Sequence, residues 1–197
     1  NAVLAPAADL HVAHESVPGL QRAAAVRSGD LGAQQIAPVT FRDYWRTSVG
    51  DEVVALAWFG PAHTAGDAVV HFERADVVHL GDLVFNRRQP YIDRGAGATV
   101  EGWIGVLEAV HERHGDDTVF VFGHAGDGFD VVGTRADLLL MRDFLTALRE
   151  ATLAAERATP PETTAALEGT VLPRFEAWGP IPSRVAAPLV DEFVRPD

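Results

Sequence analysis

The chain contains neither cysteine nor lysine, and it has only one methionine and two tyrosines. Without cysteine it can form no disulfide bond and no cysteine-ligated zinc site. All 16 basic residues are arginine. No apolar run approaches the roughly 18 residues that a membrane-spanning helix needs, so we expect no membrane span. These absences leave histidine and carboxylate as the side chains that could bind a metal ion.

Positive charge is also scarce. The formal net charge is −12 at pH 7, which argues against nucleic acid and anionic membrane surfaces as partners. A length of 197 residues with 47% hydrophobic and 22% charged residues is typical of one globular domain with a proper core. We therefore expect neither nucleic acid nor a membrane as the binding partner.

The most informative stretch covers residues 60–82. It contains a His63-Thr64-x-Gly66-Asp67 turn and a Gly81-Asp82 pair. The apolar runs at residues 68–72 and 76–80 predict two antiparallel strands between these motifs. A third strand, at residues 118–122, is followed by His124, which has glycine on one side and Ala125-Gly126 on the other. The pattern predicts that strand ends deliver His63, Asp82 and His124.

The remaining periodicity indicates a mixed α/β fold with at least five strands. We predict further strands at residues 10–13 and 53–59, and the tail of a helix at residues 1–8. Pro18-Gly19 delays the next predicted helix to residue 20, and Thr99 and Thr134 each begin a later helix, the second with Thr134-x-x-Asp137, close to a capping box. Buried apolar stripes are predicted on these two helices, at Val100, Trp103, Ile104, Leu107 and Val110 and at Leu138, Met141, Leu145 and Leu148. The strands are predicted to pair as hairpins rather than through βαβ crossovers. Residues 169–197 are predicted to form a wrapping tail with a helical piece at residues 186–194.

The motifs resemble those of the metallo-β-lactamase superfamily of metal-dependent hydrolases. The resemblance rests on the order His-Thr-x-Gly-Asp, then Gly-Asp, then Gly-His, over residues 60–126, and it extends more loosely along most of the chain. The segment GDLVFNRRQPYID at residues 81–93 is similar to one branch of that family. The resemblance implies a four-layer αββα sandwich, an α+β arrangement that here forms a single domain over residues 1–197.

One motif of the family is missing from the sequence. Its first motif, His-x-His-x-Asp-His, lies in the family upstream of a segment like residues 1–15, and no such motif occurs here. We therefore expect the chain to be the carboxy-terminal portion of a metallo-β-lactamase-like domain.

The resemblance also implies a site with two zinc ions. His63 is expected to bind the first ion, Asp82 to bridge both ions as the catalytic carboxylate, and His124 to bind the second ion. Asp67 is either a residue that orients a ligand histidine or an ordinary turn residue. The implied reaction is attack by metal-bound hydroxide on an ester, thioester, lactone or amide centre of a small-molecule substrate.

Other polar residues have more than one interpretation. Asn86, Arg87 and Tyr91 follow Asp82 and are either substrate-binding residues beside the metal cleft or part of a solvated loop. His11 and His14 are interpreted as structural residues, with metal binding as the alternative. His71 and His79 lie in the middle of predicted strands, so we interpret both as packing residues.

The expected function is that of a zinc-dependent hydrolase. Three ligand residues divided between two ions leave each ion with at most two protein contacts, so we expect the isolated chain to be inactive. The alternative is a non-catalytic scaffold or partner-binding protein that lacks the first motif. Missing strands would expose sheet edges and apolar surface, which favours a complementing amino-terminal segment or a homo-oligomer. Relatives with such segments are often exported, which weakly favours a periplasmic or secreted location.

Overall fold

The computed structural model describes residues 5–29 and 35–195. The helical tail expected at residues 1–8 therefore lies partly outside the described residues, and its remainder is a short 3-10 turn at Ala5–Ala7. Within the described residues the chain forms a six-stranded sheet, a two-stranded sheet and five α-helices. This confirms the mixed α+β class. None of these helices is both long enough and apolar enough to cross a membrane.

The helices and strands follow one another in a mixed order. The elements are β1 (Val12–His14), α1 (Val17–Ser28), β2 (Val39–Phe41), β3 (Tyr44–Val49), β4 (Glu52–Ala57), β5 (Val69–Phe72), β6 (Val77–Asn86), α2 (Val100–Arg113), β7 (Val119–Ala125), β8 (Val132–Gly133), α3 (Arg135–Ala158), α4 (Thr163–Leu167) and α5 (Ser183–Phe193). Helix α1 begins three residues before its predicted start. Pro18 is tolerated there because the first turn of a helix needs no donor from that residue.

The large sheet has the order β3-β4-β5-β6-β7-β8. The expected hairpins are present, since β3 to β6 pair with their neighbours in antiparallel fashion. The expectation that the chain avoids βαβ crossovers is wrong. Strand β7 pairs with β6 in parallel, and β2 pairs with β1 in parallel. In both cases a helix, α2 or α1, carries the chain back to the end where the first strand began, as a parallel pair requires.

Strand β6 is longer than its sequence pattern predicts. The apolar run ends at Leu80, but the strand continues through Gly81 and Asp82 to Asn86. Its register with β7 shifts on both sides of Gly81, whose φ is +51°. Glycine adopts this left-handed conformation without steric cost, so the strand bulges and then resumes. Asp82 therefore lies within a bulged strand, and His124 lies within β7, so the prediction that both residues follow a strand end is wrong.

The core lies between one face of the large sheet and helices α2 and α3. The apolar stripes predicted for these helices are buried: Val100, Trp103, Ile104, Leu107 and Val110 on α2, and Leu138, Met141, Leu145 and Leu148 on α3. Val78, Leu80, Phe120 and Phe122 complete the core from the sheet. Helix α3 begins with the capping box expected from Thr134 and Asp137.

The opposite face of the large sheet is apolar and only partly covered by the described residues. Paired positions across β3 to β8 place Trp45, Leu56, Val70, His79, Val121 and Val132 on this face. Val132 is 48% exposed. His79 is also exposed, so its prediction as a packing residue is wrong. His79 lies in the middle of a strand among apolar residues, which is typical of a core position, but no described element covers this part of the face.

The predicted tail contributes to the core. Val185, Ala186, Leu189 and Val190 of α5 are buried, as are Phe175, Trp178 and Ile181 before it. The carboxylate of Glu192 accepts hydrogen bonds from the backbone N–H groups of Val100 (2.9 Å) and Glu101 (3.0 Å). The end of α5 thus caps the start of α2 and holds it against the sheet.

Candidate metal centre

His63 lies in a tight turn between β4 and β5. Asp67 closes the turn, since its carboxylate accepts hydrogen bonds from the backbone N–H (2.6 Å) and the hydroxyl (2.7 Å) of Thr64. The hydroxyl of Thr64 in turn accepts a bond from the N–H of Gly66. Asp67 Oδ1 also lies 3.7 Å from His63 Nδ1. One carboxylate therefore stabilises the turn and faces the far side of the histidine ring, which combines the two interpretations of Asp67.

The turn is tied to β1 and β4. Ala65 O accepts hydrogen bonds from the Ser16 hydroxyl (3.0 Å) and the Trp58 indole N–H (3.2 Å). His14 stacks on Trp58 at 4.5 Å between ring centroids and hydrogen-bonds the Ser16 hydroxyl. Burial lowers the pKa of His14 below its usual value. These contacts support the structural interpretation of His14 and show that it braces the His63 turn.

Asp82 lies between the two candidate ligand histidines. Its Oδ1 is 3.4 Å from His124 Nε2, and its Oδ2 is 3.9 Å from His63 Nε2. The bulge at Gly81 aims the carboxylate at this position, and the register of β7 brings His124 opposite Phe85. The structure thus brings together the three residues that the sequence motifs singled out.

Gly123 permits this approach of Asp82 to β7. A Cβ added at Gly123 would lie 2.1 Å from Asp82 Oδ1 and within 2.8 Å of Gly81 backbone atoms. Such distances are far inside van der Waals contact, so a larger residue would displace the carboxylate. The glycine beside His124 in the Gly-His motif is therefore needed for the position of Asp82.

Aromatic side chains form one wall of the centre. Phe85 stacks on His124 at 4.8 Å and lies 5.7 Å from the ring of His63. Trp103 contacts His63 at 5.4 Å, edge to face, and its indole N–H donates to Leu83 O (2.8 Å). The sequence reasoning missed Phe85 at this site because its role depends on the parallel register of β6 and β7. Trp103 was predicted only as part of the buried stripe of α2.

The donor atoms present fit part of a zinc site. His63 Nε2 is buried and has no hydrogen-bond partner among the described residues. Two ligands of one tetrahedral zinc ion lie about 3.3 Å apart for bonds near 2 Å. The separation of Asp82 Oδ1 and His124 Nε2 matches this value, and that of Asp82 Oδ2 and His63 Nε2 is somewhat wider. Residues 5–29 and 35–195 contain no group of three or more His, Asp or Glu side chains placed to hold one ion.

The three candidate substrate-binding residues differ in their contacts. Asn86 is buried and donates to Asp130 O (2.7 Å), and its side-chain oxygen accepts a hydrogen bond from Arg87. Arg87 forms an ion pair with Asp137 (2.9 Å), with both side chains mostly buried. Tyr91 is 53% exposed. Asn86 and Arg87 are therefore held in a structural network, whereas about half of the Tyr91 side chain is accessible to solvent.

A second histidine pair lies away from the centre. The rings of His71 and His114 meet edge to face at 4.8 Å, and His71 Nε2 lies 3.5 Å from Asp76 Oδ1. Burial, reinforced by the neighbouring His71 and Arg113, lowers the pKa of His114 to about 4. These contacts agree with the expected packing role of His71.

Comparison with known proteins identifies the family to which the chain belongs. The family model described as "Metallo-beta-lactamase superfamily" matches residues 3–149. The chain belongs to the metallo-β-lactamase superfamily. No curated protein sequence matches the chain significantly.

Solved structures show the same fold at low sequence identity. A metallo-β-lactamase from Pontibacter korlensis is 19% identical with a TM-score of 0.58, over 74% of this chain and 61% of that one. The sec-alkylsulfatase Pisa1 from Pseudomonas sp. is 18% identical with a TM-score of 0.59, over 82% of this chain and 27% of that one. The chain thus spans less than two thirds of the length of these relatives. The similarity shows that the chain shares the fold of these proteins.

Proposed function

We propose that the chain is part of a zinc-dependent hydrolase in which His63, Asp82 and His124 supply part of a two-zinc site. The observation that carries the proposal is the placement of Asp82, whose two oxygens face two different histidine Nε2 atoms. The buried Nε2 of His63, which has no hydrogen-bond partner in the part of the chain that the structure describes, supports it, because an unsatisfied buried polar atom is costly unless a ligand satisfies it. His63 would bind one ion, His124 the other, and Asp82 both.

The chemistry of the site follows from these roles. Zinc ions supply Lewis acidity and lower the pKa of water to near 7 when bound. Asp82 fixes the spacing of the site, and Asp67 orients the ring of His63. Phe85 and Trp103 keep the histidine rings in place and exclude water from one side. The proposed substrates carry an ester, thioester, lactone or amide centre, and the alkylsulfatase relative adds sulfate esters to the classes worth testing.

We also propose that a complementing segment provides the remaining ligands. Three donor residues for two ions fall short of the four ligands that each zinc usually takes. The open apolar face of the large sheet needs a cover, and the chain spans 61% of the length of the lactamase relative. Strands from such a segment would bury this face and complete the ligand sets. Export to the periplasm or the medium remains part of this proposal.

A non-catalytic scaffold is the second candidate. The observation in its favour is the lack of any three-donor group among residues 5–29 and 35–195. Under this alternative the three residues would be remnants that bind no metal. The two candidate functions differ in whether zinc binding depends on Asp82.

Calorimetric titration of the 197-residue chain with zinc separates the two candidates. We expect weak binding that disappears in Asp82→Asn, because both donor pairs share this carboxylate, and that persists in Asp117→Asn, which changes an exposed carboxylate elsewhere. The isolated chain should not hydrolyse esters, thioesters, lactones, amides or sulfate esters. Zinc binding that is indifferent to Asp82 would favour the scaffold, and rapid zinc-dependent turnover would contradict the need for a complementing segment.

A further inference from the structure

A cleft of about 400 Å³ opens beside the metal centre. Arg87, Arg88 and Gln89 line it after β6, Gly126 and Asp127 line it after β7, and Trp178 and Arg184 complete it. The strand register places Asn86 opposite Ala125 and Phe85 opposite His124. At about 3.3 Å per residue along a strand, Gly126 lies roughly 7 Å from His124. The cleft therefore begins within the reach of a small substrate at the centre.

Positive charge is concentrated in this cleft, although the chain carries a net charge of −12. Arg88 and Arg184 are exposed, and neither has an ion-pair partner within the described part of the chain. Arg87 is neutralised by Asp137. Asp127 is the acidic residue among those that line the cleft. The two unpaired guanidinium groups leave the cleft with an excess of positive charge.

The position of α5 adds to the positive electrostatic potential of the cleft. Arg184 is the second residue of α5, so the amino-terminal end of an 11-residue helix borders the cleft. Pro182 provides no side-chain cap for the first backbone N–H groups. The positive end of the helix dipole favours an anion at the same place as the two arginines.

Two buried polar atoms of residues that line the cleft have no hydrogen-bond partner among the described residues. They are the indole N–H of Trp178 and the side-chain oxygen of Gln89. Both residues are more than nine-tenths buried, with 6% and 8% exposure. The amide nitrogen of Gln89 is already used, since it donates to Gly179 O (3.1 Å). An unpaired buried donor such as the indole N–H is uncommon in proteins and can be satisfied by an anion, whereas the Gln89 oxygen is an acceptor and needs a donor instead.

Arg87 forms an ordered wall rather than a contact for the ligand. Its guanidinium lies over the rings of Phe129 (5.2 Å) and Trp178 (5.9 Å). Its ion pair with Asp137 fixes it there. The recognition of a negative charge thus falls to Arg88 and Arg184.

We propose that this cleft is an anion-binding site that holds the acid group, a carboxylate or a sulfate, of a small organic ligand through Arg88 and Arg184. Guanidinium groups suit both acids because they can donate two parallel hydrogen bonds. As a part of the substrate site this assignment rests on the proposed function, since the acid group would place the remainder of the molecule towards His124. Binding of the anion itself needs neither metal nor turnover.

The test is calorimetric titration of the metal-free chain, in the presence of a chelator and at low salt. The probes are phenylacetate, phenyl sulfate and the neutral phenylacetamide. We expect at least one anion to bind and the amide not to bind. Arg88→Gln and Arg184→Gln should each weaken binding by roughly tenfold, as the loss of one charge-assisted hydrogen bond predicts.

A matched control comes from Arg157→Gln. Arg157 is also exposed, and it lies about 30 Å along α3 from Asp137. This variant should bind the anions as the unmodified chain does. Equal binding of phenylacetate and phenylacetamide, no binding of either anion, or undiminished binding in both arginine variants would overturn the proposal. Anion binding is measured without metal, so its outcome does not depend on whether the chain binds zinc or hydrolyses a substrate. The two proposals can therefore be refuted independently.

Discussion

Two glycines of α2 provide a sharp test of how the His63 turn is held. A Cβ added at Gly102 would lie 2.3 Å from Pro61 O, whereas one added at Gly105 would meet nothing within 4 Å. Pro61 belongs to the loop that carries His63, and the loop is fixed further by the hydrogen bond from Thr99 N–H to Ala62 O (2.9 Å). The atom nearest to the added Cβ is a backbone carbonyl oxygen, so the clash can be relieved only if α2 or this loop shifts.

The expected magnitude follows from a comparison of Gly102→Ala with Gly105→Ala. Both variants gain the same helix propensity of about 0.5–1 kcal/mol, so the difference between them isolates the clash. Overpacking costs about 1–3 kcal/mol, and a domain of this size loses about 2–4 °C in Tm per kcal/mol. We therefore expect Gly102→Ala to melt about 2–12 °C below Gly105→Ala.

The assay is thermal unfolding followed by circular dichroism, combined with the zinc titration described above. Gly105→Ala should be at least as stable as the unmodified chain and should bind zinc equally well. Gly102→Ala should also bind zinc more weakly, because the displaced loop carries His63 away from Asp82. Equal melting temperatures for the two alanine variants would refute the close approach of α2 to the loop.

Three further predictions concern stability. Burial lowers the pKa of His114 to about 4 from an ordinary 6.5, so the unfolded state takes up a proton at a higher pH than the folded state does. The contribution of His114 to the free energy of unfolding should be complete above pH 6.5 and should fall by up to about 3 kcal/mol as the pH drops towards 4. His114→Gln should remove this part of the pH dependence of urea unfolding. A double-mutant cycle of Arg87→Met and Asp137→Asn should give a coupling energy of about 0.5–3 kcal/mol, and no coupling would contradict their ion pair. Glu192→Gln should lower the free energy of unfolding by about 1–2 kcal/mol because the capping carboxylate of α2 loses its charge, and an unchanged urea midpoint would contradict this cap.

The parts of the fold that sequence periodicity predicted are those with strong local signals. The stripes of α2 and α3, their threonine caps and the β5 strand all follow from short-range patterns. Strand β3 was missed because its sequence, YWRTSV, contains no apolar run, and it is defined by pairing with β4. The bulge in β6 was missed because an apolar run ending at glycine is also the pattern of a strand end. Long-range pairing decides such cases.

The candidate site was predictable only in its ligand residues. His63, Asp82 and His124 follow from motif order, and the structure brings them together. The roles of Phe85 and Gly123 depend on the register of β6 against β7, which no local pattern encodes. Arg87 was singled out for substrate binding, but its ion pair with Asp137, 50 residues away, could not be foreseen.

The most direct test of the central claim is a zinc titration of the metal-free chain followed by nitrogen-detected histidine NMR. We predict that the Nε2 signals of His63 and His124 shift together, that both shifts vanish in Asp82→Asn, and that dialysis removes the zinc because the ligand sets are incomplete. Two zinc ions retained per chain after dialysis, or shifts confined to His11 and His14, would contradict the assignment of Asp82 as the shared ligand of a partial two-zinc site.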